Sequence, residues 1–293
     1  MIEINNLSHS LGTKTVLSKI DLVIPDNTVL GIVGINGAGK STLLRLLSGV
    51  YIPDEGSISF DGRSPSDAET RKDIFFLPDD PYYSAFMTPD MLFEFYEGFH
   101  PGIDRDTYDR LLSAYKIDRR GKVRNFSKGM RRQVFIALAL AVKPRYLLLD
   151  EAFDGLDPLS RRIFKDAIIA LVEEGGTTVL IASHSLRELE DFCDRFILID
   201  SSSIKSQGDI AEHVGKLCKF ELAFTEAVSE DKFADLPVVS LTIKNRFVGI
   251  VLRGESPEMR RKLEALSPAV MDEMPLDFEE AFIHDVRKEG MLL

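Results

Sequence analysis

Residues 29–47 constrain the fold more than any other stretch of this sequence. The apolar run VLGIV leads directly into the glycine-rich loop GINGAGKS, and leucines then recur at helical spacing in TLLRLL. The order is strand, glycine loop, helix. Residues 34–41 match the pattern G-x-x-x-x-G-K-[ST] at every fixed position. We therefore expect a phosphate-binding loop formed by Asn36, Gly37, Ala38, Gly39, Lys40, Ser41 and Thr42.

Each residue type in this loop suits a triphosphate. Glycines let successive backbone N–H groups point at phosphate oxygens that side chains would block. The Lys40 ammonium would lie between the β- and γ-phosphates, and the Ser41 hydroxyl would ligate Mg²⁺. The helix that follows presents its positive end to the anion. The alternative, a glycine-rich turn without function, leaves the strand before the loop and the helix after it unexplained.

Composition and charge bound the possible functions. The chain has 293 residues and a formal net charge of −11, which disfavours nucleic acid and anionic lipid as partners. Its two cysteines, Cys193 and Cys218, form no disulfide framework, so a reducing compartment fits best. The start MIEINNLSHS lacks the basic and apolar segments of a secretory signal. The longest apolar run, Val134 to Val142, is too short to cross a bilayer, so we expect any membrane role to require a partner.

The hydrophobic pattern changes twice along the chain. Short β-type segments open the sequence, and residues 84–141 then show mostly helical periodicity. Continuously apolar strands return at 146–151, 177–183 and 195–200, as expected for a parallel sheet covered on both faces. From residue 214 onward, three strand-like segments and two helix-like segments, 257–266 and 277–289, predict a small α+β domain.

Two adjacent acids end the strand YLLLDE. Alternation along a strand turns Asp150 and Glu151 to different sides, so the two carboxylates can do different work. Asp150 suits a water-mediated contact to Mg²⁺, and Glu151 can polarise the water that attacks a γ-phosphate. His184 follows another apolar strand, and the carboxyl ends of parallel strands collect ligands. We therefore expect the catalytic residues to be Lys40, Glu151 and His184. The alternative for His184 is a histidine at the start of a helix, without a catalytic role.

The segment NFSKGMRR, residues 125–132, predicts a second anion-binding helix start. Ser127 and Gly129 would offer a hydroxyl, backbone N–H groups and the helix dipole over the open side of the γ-phosphate. A symmetric pair of chains could exchange such segments across an interface. The alternative is an ordinary helix cap with Ser127 at the N-cap, which leaves Gly129 and the basic run unexplained.

Five motifs in this order resemble the nucleotide-binding subunit of ATP-binding cassette (ABC) transporters, over residues 1 to about 213. They are GINGAGKST at 34–42, FLPDDP at 76–81, FSKGMRRQ at 126–133, LLLDEAFDGLDP at 147–158 and SH at 183–184. The resemblance implies an α/β fold of the P-loop NTPase class. Its parts would be a mostly parallel central sheet, an N-terminal antiparallel β subdomain, a helical subdomain at about 84–141 and an accessory domain over 214–293.

The function implied is ATP hydrolysis, with ATP and Mg²⁺ as cofactors. In the family the segment equivalent to FSKGM contacts the nucleotide on the partner's glycine loop in a head-to-tail dimer. The implied partners are therefore a second ATP-binding subunit and a multi-span membrane permease, with no nucleic acid. The chain would be cytoplasmic and held at the inner face of the membrane by that permease. Within the family, the chain looks most like exporter-type ATPases of the ABC-2 group, because of its sequences SKGM and LPDDP and its C-terminal α+β domain.

This chain departs from the common family pattern at several positions. The signature is commonly LSGGQ, whereas Phe126, Lys128 and Met130 stand here around the retained serine and glycine. Asp79 occupies the position of the loop glutamine that reaches the metal, so we expect Ser41, Asp150 and Asp79 around Mg²⁺. Leu11 occupies the position of the aromatic residue that stacks on adenine, and is expected to pack on the base without a π-face. Ala152 replaces the usual proline.

Other function classes fit less well. ABC-type ATPases of DNA repair insert long coiled coils, and nothing here sustains three or four heptads. Ribosome-acting members usually carry two cassettes, and this chain has one. A P-loop GTPase would need an N-K-x-D motif, which the sequence lacks. A soluble ABC-type ATPase with a regulatory role remains the alternative, with the C-terminal domain binding a ligand or another protein.

Overall fold

The computed structural model describes residues 1–282 and separates into two compact units, which divide after Gln207. The expected boundary lay six residues later, between 213 and 214. The structure places it earlier because helix α8 (Ile210–Gly215) packs against the first strand of the second unit, with Val214 in a small apolar cluster around Leu217. The predicted α/β class is confirmed.

An antiparallel sheet opens the first unit. Its strand order is β2-β1-β4, with β1 at Ile2–Leu11, β2 at Lys14–Ile24 and β4 at Glu55–Phe60. The inward side chains of β1, such as Ile2 and Leu7, are fully buried among the leucines of helix α1 (Lys40–Leu47). This sheet therefore shares one core with the helix that follows the glycine loop.

The central sheet has six strands in the order β5-β6-β7-β3-β8-β9. The strands are β3 (Val29–Val33), β5 (Ile74–Leu77), β6 (Tyr146–Asp150), β7 (Thr178–Ser183), β8 (Arg195–Asp200) and β9 (Ser203–Asp209). The pairs β5–β6, β6–β7, β7–β3 and β3–β8 are parallel. β6 is buried along its whole length, as the continuous apolar pattern predicts for a strand covered on both faces.

Helices lie between the strands. They are α2 (Ala68–Lys72), α3 (Pro89–Glu97), α4 (Arg105–Ala114), α5 (Lys128–Val142), α6 (Pro158–Glu173) and α7 (Leu186–Glu190). Four of them begin at a side-chain cap, because Thr88, Asp104, Ser127 and Asp157 each accept a backbone N–H from three residues further on. The predicted helical block at 84–141 thus contains α3, α4, most of α5 and a short 3-10 helix at Val123–Asn125.

The second unit contains a four-stranded antiparallel sheet in the order β11-β12-β10-β13. Its elements are β10 (Leu217–Ala223), β11 (Val238–Lys244), β12 (Phe247–Arg253), β13 (Val270–Met274), α9 (Ser256–Glu264) and a 3-10 helix at Glu230–Phe233. Phe220, Ile250 and Leu263 form part of its core. The helix predicted over 277–289 is seen at 278–282, and its remainder lies outside the described residues.

Over residues 1–282, every helix is too short or too polar to span a bilayer.

The second unit offers a matched test of burial. Phe220 lies fully buried on the inner face of β10, whereas Phe247 on β12 is 54% exposed. We expect Phe220→Ala to lower the free energy of unfolding by about 3–5 kcal/mol, because it leaves a cavity in the core. Phe247→Ala should change it by less than about 1 kcal/mol. Urea titration, monitored by amide hydrogen exchange in β10 and β12, measures the free energy of unfolding of each variant. Equal losses in the two variants would contradict the burial of Phe220 and the exposure of Phe247.

Candidate functional site

Three neighbouring parallel strands bring the predicted site residues together. Strand β3 runs into the glycine loop, β6 ends at Asp150, and β7 ends one residue before His184. In the sheet, Val33 pairs with Ser183 and Asp150 pairs with Ala182, so the strands end at the same edge. The groups that follow them therefore meet above the carboxyl ends of the strands, where open α/β sheets bind ligands.

The glycine loop is held tightly against the rest of the unit. Gly39 has φ +112°, and a Cβ there would lie 2.8 Å from a methyl carbon of Leu17. A Cβ on Gly34 would lie 2.5 Å from the carbonyl oxygen of Ile199. Space excludes a side chain at both positions, and backbone conformation also disfavours one at Gly39, which leaves the backbone N–H groups of the loop accessible to an anion.

Lys40 places a buried cation inside this loop. Its side-chain nitrogen donates to the carbonyl of Gly34 at 2.7 Å and lies 3.5 Å from a carboxylate oxygen of Glu151. The residue is 5% exposed. The loop thus combines a positive charge, backbone donors and the start of α1, and this combination suits phosphate groups.

Ser41 and Asp150 are joined directly. The Ser41 hydroxyl donates to Asp150 Oδ1 at 2.9 Å, and Asp150 is 1% exposed. Burial raises the pKa of Asp150; the hydrogen bond from Ser41 lowers it, and the charge of Glu151 raises it again. A hydroxyl and a carboxylate are the hard oxygen ligands that Mg²⁺ prefers, so these two residues fit the cation.

Glu151 and His184 form the second contact of the site. Nδ1 of His184 lies 3.0 Å from Glu151 Oε2. The backbone of Glu151 has φ +47°, a left-handed conformation that a residue with a Cβ rarely adopts. Its N–H donates to the carbonyl of Ala182 at 3.0 Å, which helps to hold this turn. One carboxylate oxygen therefore faces Lys40 and the other faces the histidine, as a positioned base requires.

The segment 127–129 contacts a different part of the chain. Ser127 caps α5 by accepting the N–H of Met130 at 3.1 Å. A Cβ on Gly129 would lie 2.2 Å from the carbonyl oxygen of Gly155, so the close approach of loop 154–155 already requires glycine there. Across residues 1–282, no hydrogen bond or ion pair links this segment to the chain's own glycine loop. The helix-cap interpretation thus accounts for the serine, and packing on Gly155 accounts for the glycine.

Two further predicted site residues, Leu11 and Asp79, form no hydrogen bond or ion pair in residues 1–282 with the group of Lys40, Ser41, Asp150, Glu151 and His184. Leu11 ends β1 opposite Lys14 in the hairpin and is 45% exposed. The carboxylate of Asp79 lies 2.6 Å from the guanidinium of Arg132, rather than against Ser41 or Asp150.

Sequence reasoning missed the contribution of Arg132. It is 2% exposed and donates to the carbonyls of Pro78 and Asp79. The available signal was its position two residues before the run VFIALALAV, where a charged side chain is covered by its neighbours.

Comparison with known proteins agrees with this geometry. The family model described as "ABC transporter" matches residues 17–154. The ABC transporter ATP-binding protein YtrB of Bacillus subtilis (strain 168) is 29% identical over 97% of this chain and 97% of its own length. The lantibiotic transport ATP-binding protein SrtF of Streptococcus pyogenes is 32% identical over 76% of this chain and 98% of its own length.

The chain belongs to the ABC transporter ATP-binding proteins.

As an ABC ATPase subunit, the protein binds ATP and hydrolyses it to ADP and phosphate. A solved structure of an ATP-binding subunit of an ABC transporter matches with a TM-score of 0.67 and 26% identity. The match covers 73% of this chain and 91% of that one.

Burial of Asp150 leads to a prediction about stability. Its pKa in the folded ABC ATPase is raised above the ordinary value of 3.8, so stability falls as the pH rises from that value through the folded pKa. We expect Asp150→Asn to raise the free energy of unfolding of the nucleotide-free protein at pH 7, with a smaller gain near pH 4.5. Urea titrations at the two pH values measure this difference.

The matched control is Asp235→Asn, because Asp235 is exposed and forms no hydrogen bond or ion pair within residues 1–282. It should leave stability nearly unchanged at both pH values. A loss of stability in the Asp150 variant at pH 7 would contradict the raised pKa.

Proposed function

We propose that this ABC ATPase drives export through a separate membrane permease, and that two copies of the cassette bind ATP between them head to tail. The observation that carries the proposal is that the glycine loop and the start of α5 contact different parts of the chain. The glycine loop converges with Lys40, Asp150 and Glu151. The start of α5, with Ser127 and Gly129, packs on loop 154–155 instead.

Within one copy, the proposed roles follow from the contacts. Lys40 and the N–H groups from Asn36 to Thr42 bind the phosphates, and Ser41 and Asp150 hold Mg²⁺. When bound, that cation neutralises charge on the transferred phosphoryl group. Glu151 accepts the proton of the attacking water, and His184 orients the Glu151 carboxylate. Leu11 provides an apolar surface for the base.

The start of α5 suits the second half of a phosphate site. Four backbone N–H groups of a helix start have no partner within the helix, and the dipole adds a partial positive charge. Ser127 is exposed at this end of a 15-residue helix. In a twofold pair each chain would present this end to the γ-phosphate on its partner, so that both sites are completed by one symmetric contact.

Exposed aromatic side chains support docking of the helical block on a permease. Tyr82, Phe86, Phe95 and Phe99 are 91%, 61%, 51% and 66% exposed, and the rings of Phe95 and Phe99 lie 5.1 Å apart. Exposed apolar clusters of this kind mark protein interaction surfaces. We therefore place the chain at the cytoplasmic face of a membrane, bound to that permease. Export is supported by the similarity to SrtF, whose name gives lantibiotic transport. The net charge of −11 disfavours nucleic acid.

Glu151→Gln tests the paired arrangement. This variant should bind ATP but hydrolyse it slowly, because the proton acceptor is lost, so ATP-bound dimers should accumulate. On addition of Mg²⁺ and ATP, light scattering should show the mass rising from that of one 32.9 kDa chain to that of two. Lys40→Ala is the control, since it weakens ATP binding and should stay monomeric. A Glu151 variant that stays monomeric at saturating ATP would contradict the pairing.

Ser127→Arg tests which chain the segment serves. We expect the variant to bind ATP as a monomer within about threefold of the original affinity. Its turnover should fall by about a hundredfold, because a positioned donor to the phosphoryl group is lost. Ser113→Arg is the control: Ser113 is an exposed serine on α4, and turnover should be unchanged. If monomer binding fails in Ser127→Arg, the segment acts on its own glycine loop.

A further inference from the structure

Four charged side chains connect the start of α5 with two loops. Asp79 lies on the loop after β5, Lys128 and Arg132 lie in the first turns of α5, and Asp154 lies on the loop after β6. These four residues are called the α5 ion-pair cluster below. All of them belong to the first unit.

Arg132 is the buried member of the cluster. It is 2% exposed, and its guanidinium donates to the carbonyls of Pro78 and Asp79 and to the carboxylate of Asp79 at 2.9, 2.5 and 2.6 Å. Asp79 is the one carboxylate with which it pairs within residues 1–282. A buried cation needs its counter-charge, so Asp79 is fixed on Arg132, and the loop after β5 is fixed on α5.

Lys128 extends the connection to the loop after β6. Its ammonium lies 3.6 Å from Asp79 Oδ1 and 3.7 Å from Asp154 Oδ2. The next residue, Gly129, packs against the Gly155 carbonyl, so the start of α5 and loop 154–155 are already in contact. Lys128 thus adds a charge contact to two loops that α5 already touches, and it lies between their two acids.

The same contacts argue against a metal at Asp79. Its Oδ1 accepts from Arg132 and also faces Lys128, so a divalent cation there would meet two positive charges. Ser41 and Asp150 differ, because Asp150 forms no ion pair within the described part of the chain.

We propose that Asp79 is a positioning residue rather than a magnesium ligand, and that the α5 ion-pair cluster fixes Ser127 and Gly129 relative to the chain's own hydrolysis site. This inference deepens the proposed function and rests on it. Asp79 and Lys128 stand where the family commonly has glutamine and glycine. The two departures lie against each other and have opposite charge, so they act as a pair.

Amide exchange in the nucleotide-free protein tests the cluster without ATP or dimerisation. In Lys128→Gln and Asp79→Asn we expect exchange over 78–83 and 154–157 to rise severalfold, because these loops lose an ion pair. Lys128 is an exposed side chain, so folding should persist in its variant. Lys122→Gln is the matched control, an exposed lysine without an ion pair in residues 1–282. Exchange equal to that of the original protein in both cluster variants would overturn the proposal.

Steady-state kinetics supply the second test. We expect kcat to fall about threefold in Lys128→Gln, as for loss of an exposed ion pair, and about tenfold in Asp79→Asn. The kcat losses of the two single variants should not add fully in the double variant, since both changes remove the Lys128–Asp79 pair. The Mg²⁺ concentration at half-maximal rate should stay within about twofold throughout. A tenfold rise of that concentration in Asp79→Asn alone, or fully additive kcat losses, would overturn the assignment.

The two proposals can fail separately. Failure of Glu151→Gln to dimerise, together with raised exchange in the cluster variants, rejects the head-to-tail pairing and keeps the cluster. Dimerisation with unchanged exchange rejects the cluster and keeps the pairing.

Discussion

Parallel pairing of β3, β6 and β7 is the constraint on which the site depends. These strands are buried on both faces, so their polar side chains are confined to their first and last residues. Polar groups appear only where the strands end, and the register aligns those ends: Val33 with Ser183, and Asp150 with Ala182. Lys40, Asp150, Glu151 and His184 therefore meet because the sheet leaves them one common edge.

Two residues of the site are in conformations or surroundings that reduce the stability of the fold. Asp150 is an ionisable group buried at 1% exposure, and Glu151 holds a left-handed backbone conformation. Both are unfavourable in isolation, by burial of charge and by steric strain respectively. The surrounding packing tolerates them because Ser41 donates to Asp150, and the Ala182 carbonyl accepts from Glu151. Groups held in this way keep an orientation suited to a phosphate and its cation. Such sites usually gain activity at a cost in stability.

Local patterns in the sequence predicted much of this arrangement. The strand–loop–helix order at 29–47, the apolar strands and the helical block at 84–141 are all seen. Strand β13 was missed, because VMDEM carries two adjacent acids and its strand conformation depends on pairing with β10. The neighbours of Asp79 and Gly129 were not predictable either. Arg132 lies 53 residues from Asp79, and Gly155 lies 26 from Gly129, so these contacts exist only in the folded chain.

The buried arginine explains why the departures from the common motif are compatible with the fold. A glutamine at position 79 would leave Arg132 with carbonyl oxygens alone, whereas Asp79 supplies the counter-charge that a 2%-exposed cation requires. That acid is 49% exposed on its side chain and remains accessible to a second cation, and Lys128 lies 3.6 Å from it. A glycine at position 128 could not supply that charge. Asp79 is thus explained by Arg132, and Lys128 is explained by the exposed carboxylate of Asp79 beside it.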